Sequence, residues 1–153
     1  LELEARDFFR RLASDADAGK LGEGELRAEI HERNLYDVLL NIAEGKRILE
    51  KLPTQEQKRG QDGLLKQVQR IATPEAFVAA IDWEPHKLGD VLVITGVGEV
   101  YPFMRVHNIL NNMQSSFRDV PIVVAYPGTF DGGSLSLFGK LKDGNYYRAF
   151  DLI

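Results

Sequence analysis

The chain has 153 residues, a formal net charge of -4 and a pI of about 5.4, and it contains no cysteine. The acidic balance argues against sequence-independent nucleic-acid binding, which draws on a basic excess. The missing thiols exclude disulfides, thiolate metal sites and a cysteine nucleophile. With 44% hydrophobic and 27% charged residues the composition is that of a globular domain able to bury one core, and no apolar run nears the roughly 20 residues that span a bilayer.

The chain begins without Met and inside an amphipathic pattern, so it reads as a single domain, residues 1–153, with elements preceding Leu1. The spacing of Leu1, Ala5, Phe8, Phe9 and Leu12 predicts a helix over Leu1–Ala13. A small, polar, glycine-containing loop follows, whose Gly19-Lys20 pair lacks the spacing of a phosphate-binding loop. Leu26–Arg33 alternates loosely and predicts a short strand. Asn34 is placed to cap the helix after it. That helix is expected over Leu35–Leu52, weakened by Gly45 and ended by Pro53. Pro53–Gly63 is polar and charged and reads as a solvated stretch. A helix resumes over Leu64–Ala72. Thr73-Pro74-Glu75 restarts another as N-cap and first turn, running to Ile81.

Asp90–Thr95 is a continuous apolar, β-branched run, the pattern of a strand covered on both faces. Gly96-Val97-Gly98 then turns the chain. From Tyr101 the period changes to about 3.6, and Phe103, Val106, Leu110, Met113 and Phe117 form one apolar stripe. Val120–Tyr126 reads as a second buried strand and Thr129–Ser134 as a loop. Leu135–Leu141 and Tyr146–Leu152 read as two strands joined at Lys142-Asp143-Gly144-Asn145, where Asp-Gly is a hairpin signal. Strands alternating with helices predict an α/β fold: a three-layer, sandwich-like domain with a mainly parallel sheet flanked by helices, plus a C-terminal β-hairpin.

In such folds ligands gather at the carboxyl ends of the strands. GVGEVY begins like a dinucleotide fingerprint, but Tyr101 replaces the third glycine and Glu99 puts a carboxylate where phosphate would approach. A turn that reverses the chain is the better reading. Arg105 and His107 near the helix N-terminus are placed to bind a carboxylate or phosphate, with Asp131 on a neighbouring loop. These do not make a catalytic set, and Ser134 lacks the G-x-S-x-G elbow. His31, His86 and His107 are scattered, with no H-x-x-x-H pair, which argues against zinc. Tyr146-Tyr147-Arg148 alternates across a strand and suits a protein-contact surface.

NLYDVLL at Asn34–Leu40, TGVGEVYPFMRVHNILNNMQ at Thr95–Gln114, YPGTFDGGSLSLFGKL at Tyr126–Leu141 and NYYRAF at Asn145–Phe150 together resemble the BrxB family of BREX phage-defence systems of bacteria and archaea. The resemblance covers most of the chain and places an N-terminal segment, with a further strand, before Leu1. It implies a cytoplasmic protein with no established catalytic activity, a non-enzymatic adaptor or assembly component; no cofactor or metal is expected. The alkaline-phosphatase-like protein and the AAA+ ATPase of the system are the implied partners, with no membrane and no direct nucleic-acid contact. The motif positions it marks as binding residues are Gly96, Gly98, Tyr101, Arg105, His107, Asn111, Asn112, Tyr126, Asp131, Tyr147 and Arg148. The alternative is a nucleotide-binding, phosphate-binding or hydrolytic α/β domain with its site at the strand C-terminal ends.

Overall fold

In this computed structural model the chain is described over residues 29–142, together with Arg11 and Ala149. The helix expected over Leu1–Ala13 and the strand expected over Tyr146–Leu152 fall outside these residues.

Three strands form a parallel sheet in the order β1 (Glu29–Asn34), β2 (Asp90–Thr95), β3 (Ile122–Val124). The first pair is in register from Glu29↔Asp90 to Asn34↔Thr95, and the second from Leu92↔Ile122 to Ile94↔Val124. The central strand has the predicted bounds. Leu92, Val93 and Ile94 are all buried, so both faces of β2 are covered, as its unbroken apolar run requires. The outer strand β3 is half-buried and, among the described residues, has a partner on one side alone.

Between β1 and β2 the chain passes through helices α1 (Leu35–Gly45), α2 (Leu52–Ile71) and α3 (Pro74–Ile81). The Asn34 side chain accepts from the amides of Tyr36 (2.9 Å) and Asp37 (3.2 Å), and Thr73 Oγ1 accepts from Ala76 N–H. Both caps are therefore made where the sequence places them. The long helix expected over Leu35–Leu52 is shorter. Arg47 adopts φ 53°, its N–H donates to the Glu44 carbonyl, and Ile48 N–H donates to the Ala43 carbonyl at 2.9 Å. This pairing is a Schellman stop, with Arg47 in the position glycine usually fills. Pro53 ends nothing. It sits in the first turn of α2, where a missing N–H costs no hydrogen bond. The stretch expected to be a charged surface is thus helical, interrupted at Gly60, where φ 69° and ψ 178° break the helical path.

After β2 come a single helical turn α4 (Val97–Val100), a bend at Tyr101–Arg105 and helix α5 (Val106–Met113). The expected single helix from Tyr101 is therefore two pieces with a bend between them. Of the expected stripe, Val106, Met113 and Phe117 are buried in the core with Phe77, Ile81 and Leu35; Phe103 and Leu110 are only partly buried, and Ile109, outside the stripe, is fully buried instead.

The last described segment is a small antiparallel sheet of β4 (Gly128–Phe130), β5 (Leu135–Leu137) and β6 (Leu141–Lys142). The residues read as a loop at Thr129–Ser134 and a strand at Leu135–Leu141 divide differently. β4 and β5 form a hairpin closed at Asp131–Ser134, and the chain turns again at Phe138-Gly139 (φ 54° and 67°) into β6. The expected architecture, a parallel sheet flanked by helices with an antiparallel hairpin toward the C-terminus, is the one observed.

Candidate functional site

The carboxyl ends of β1 and β2 carry most of the residues singled out by sequence. Gly96 turns the chain out of β2 at φ 72° and lies against the Asn34 side chain. Asn34 spends its oxygen on capping α1, and its Nδ2 donates to Glu99 Oε2 at 3.3 Å. Gly98 faces Pro127 and Phe138, where an added Cβ would sit 3.1–3.2 Å from both. The Tyr101 ring meets the Phe138 ring edge-on at 6.3 Å. Thr95, fully buried, donates to Glu32 Oε1 at 3.1 Å.

Arg105, His107 and Tyr126 do come together, lining one cavity with Val97, Met104 and Leu137. Its volume is about 10 Å³, room for one water at most. Arg105 Nη2 also donates to the Lys142 carbonyl at 3.4 Å, tying the bend before α5 to β6. Asp131 does not line this cavity. Its carboxylate closes the β4–β5 turn, accepting from Ser134 N–H (2.7 Å), Ser134 Oγ–H (2.8 Å) and Gly133 N–H (3.1 Å). These bonds, led by the Ser134 amide, hold its carboxyl below the ordinary carboxylate range. Asn112 Nδ2 donates to the Asn108 carbonyl of its own helix, and Asn111 is exposed on the same helix. Tyr147 and Arg148 lie outside the described residues.

Beside this edge runs an open groove of about 400 Å³ between α2, the start of α3 and the Tyr101–Arg105 bend. Leu65, Gln69, Tyr101, Phe103 and Arg105 line it, and Gln69 Nε2 donates across it to the Pro102 carbonyl at 3.1 Å.

The amino end of the sheet holds a polar and aromatic cluster outside the binding residues expected from sequence. Asp90, 3% exposed, begins β2. Its Oδ2 accepts from Lys87 N–H (2.8 Å) and from Trp83 Nε1–H (3.2 Å). The His31 ring stacks on Trp83 at 3.9 Å and sets Nε2 3.6 Å from Asp90 Oδ1. His86 meets Trp83 edge-on at 4.8 Å, stacks on Phe117 at 5.1 Å and pairs with Asp82 Oδ1 at 2.9 Å. The only advance signal was Glu29-x-His31 within a strand, which puts both side chains on one face. That they face Asp90 depends on pairing β1 with β2, a strand far along the chain, in the register Glu29↔Asp90.

The Lys87 amide foremost, then the Trp83 indole and His31, hold the Asp90 carboxyl below its ordinary range against the opposing pull of burial. A carboxyl with a depressed folded pKa stabilises the fold above its unfolded pKa and loses that contribution as pH falls through the folded value. Asp90→Asn removes this dependence. The difference in unfolding free energy between wild type and Asp90→Asn is expected to be constant above about pH 5 and to shrink below about pH 4, in urea titrations at each pH. A difference independent of pH down to the acid transition would contradict it.

Among the described residues no helix is long and apolar enough to cross a membrane. No solved structure matches the chain significantly. A Bacillus cereus protein described as BREX protein BrxB is 42% identical over 127 residues, covering 81% of this chain and 66% of its own length. An Escherichia coli protein with the same description is 29% identical over 124 residues, covering 78% of this chain and 60% of its own. The chain thus spans slightly less than two thirds of the length of these relatives. The family model described as BREX protein BrxB matches residues 31–152, all of the parallel sheet but the first two residues of β1, and the chain therefore belongs to the BrxB family.

Proposed function

We propose that the chain is a non-enzymatic adaptor or assembly component of a cytoplasmic BREX phage-defence complex, contacting its alkaline-phosphatase-like protein and its AAA+ ATPase. Family membership supplies the system. The observation that carries the adaptor role is how the polar residues at the carboxyl edge of the sheet are employed. Asn34 caps a helix, Asp131 closes a turn, and Arg105 holds a strand carbonyl beside a cavity of about 10 Å³. Side chains committed in this way build a shaped surface rather than a cleft around a reacting atom. The test is co-purification from the tagged full-length protein. Retention of the phosphatase-like protein or the ATPase through a salt wash is expected, and retention of neither defeats the reading.

A second reading, a phosphate- or nucleotide-binding domain, is favoured by one feature. The 400 Å³ groove is of small-ligand size and has Arg105 on its wall. A thermal-shift series with inorganic phosphate and nucleotides separates the two readings. Stabilisation that Arg105→Ala abolishes would support ligand binding, and none with any of them would remove it.

A further inference from the structure

We propose that Glu29, His31 and Asp90 form a binding site for one divalent first-row metal ion of the zinc type, at the amino end of the sheet. Glu29 and His31 are two residues apart on β1 and share a face, and Asp90 is the residue paired with Glu29 on β2. One imidazole nitrogen and two carboxylate oxygens thereby lie within 4.8 Å of one another. Imidazole with carboxylate is a donor set that suits zinc and its neighbours.

The distances separate this reading from a plain ion pair. His31 Nε2 lies 3.6 Å from Asp90 Oδ1 and 3.8 Å from Glu29 Oε1. Both exceed the reach of an N–H···O bond. Two donors bound to one tetrahedral ion at 2.0–2.2 Å stand about 3.4 Å apart, close to the two His31 distances; the three atoms spread over up to 4.8 Å, a gap the exposed Glu29 side chain closes on binding. His31 Nε2 is also buried and has no hydrogen-bond partner among the described residues. A buried ring nitrogen without such a partner is uncommon, and a bound metal ion would satisfy it.

The surroundings are those of a metal site's outer shell. Asp90 is oriented through its second oxygen by the Trp83 indole and the Lys87 amide, and the His31 ring plane is fixed against Trp83 at an interplanar angle of 19°. Glu29 is exposed and leaves the ion an entry path from solvent. The nearby Asp82–His86 pair is already bonded at 2.9 Å and is not part of the set.

The test is equilibrium dialysis of the untagged, chelator-stripped full chain with Zn2+, followed by cobalt substitution read in the visible spectrum. One equivalent is expected, with a Co2+ absorption band characteristic of four- or five-coordinate geometry. Glu29→Gln, at an exposed position, is expected to weaken binding tenfold or more, and His31→Gln to abolish it. Trp83→Phe, which removes the orienting donor and keeps a smaller aromatic ring beside His31, is expected to weaken binding about 10- to 100-fold. His86→Gln is expected to leave it unchanged. Circular dichroism of each variant shows that it is folded. Absence of stoichiometric uptake by the wild type, or uptake that survives both Glu29→Gln and His31→Gln in folded protein, overturns the proposal.

Discussion

Gly96→Ala is expected to destabilise the fold by about 2–4 kcal/mol, measured as a shift in the urea midpoint at unchanged m-value. Two costs combine. The residue holds φ 72°, where an L side chain carries a penalty of about 1–2 kcal/mol. A Cβ there would also overlap the Asn34 side-chain oxygen, nitrogen and carbon. Asn34 cannot retreat freely, because its Oδ1 receives the Tyr36 and Asp37 amides that begin α1. Displacing it forfeits a cap worth about 1 kcal/mol. The two costs separate in a double-mutant cycle. Glycine at position 34 is a tolerable cap and has no side chain to strike. In an Asn34→Gly background, Gly96→Ala is therefore expected to cost only the dihedral penalty of about 1–2 kcal/mol. An equal cost in both backgrounds would mean that Asn34 and Gly96 do not press on each other.

This contact illustrates what the sequence conveys. Local rules were enough for Asn34 and Thr73 as caps, Pro74 in a first turn and Asp90–Thr95 as a doubly covered strand, because each depends on a few adjacent residues. The errors arise where an unusual residue fills a special backbone position. Arg47 stops α1 at φ 53°, and Phe138 turns β5 into β6 at φ 54° ahead of Gly139. Turns with two successive positive φ values usually advertise themselves with Asn-Gly or Asp-Gly. With Phe first, the sequence reads as an unbroken strand. Phe138 is held there by its N–H, which donates to the Pro127 carbonyl, and by its ring against Tyr101, contacts no local pattern encodes.

The candidate site was legible to the same extent. The carboxyl edge follows from the α/β rule, and Arg105, His107 and Tyr126 do share a cavity there. The amino-end cluster was not legible. Asp90 looks like a polar residue opening a strand, His31 like one of three unrelated histidines, and Trp83 like a linker aromatic. The parallel register Glu29↔Asp90 and the return of the chain through Trp83–Gly89 bring them together. Buried polar clusters of this kind depend on non-local pairing, which composition and spacing do not carry.

At that amino end, Trp83→Ala is expected to cost about 3–5 kcal/mol, the range for removing a large aromatic from a packed site. Trp83 is the sole tryptophan, and its ring meets four neighbours besides the Asp90 carboxylate that its N–H bonds. It stacks on His31 at 3.9 Å, meets His86 at 4.8 Å and Phe117 at 5.5 Å, and receives the Arg33 guanidinium 5.6 Å from its ring centroid. Arg33 is itself anchored by donating to the Ile81 carbonyl at 3.1 Å, so α3, β1 and the strand-leading segment meet at this one ring. Trp83→Phe divides the packing from the hydrogen bond. It keeps an aromatic ring but leaves the buried Asp90 carboxylate without its indole donor, an expected cost of about 1–3 kcal/mol. Unfolding is followed by far-ultraviolet circular dichroism, since both variants lose the fluorescent reporter. A Phe variant as damaged as the Ala variant would assign the whole effect to the Asp90 bond. A neutral Phe variant would show that the Lys87 amide alone suffices for Asp90. An intermediate Phe variant is the result the geometry predicts, because the ring contacts and the indole N–H point in different directions and are lost independently.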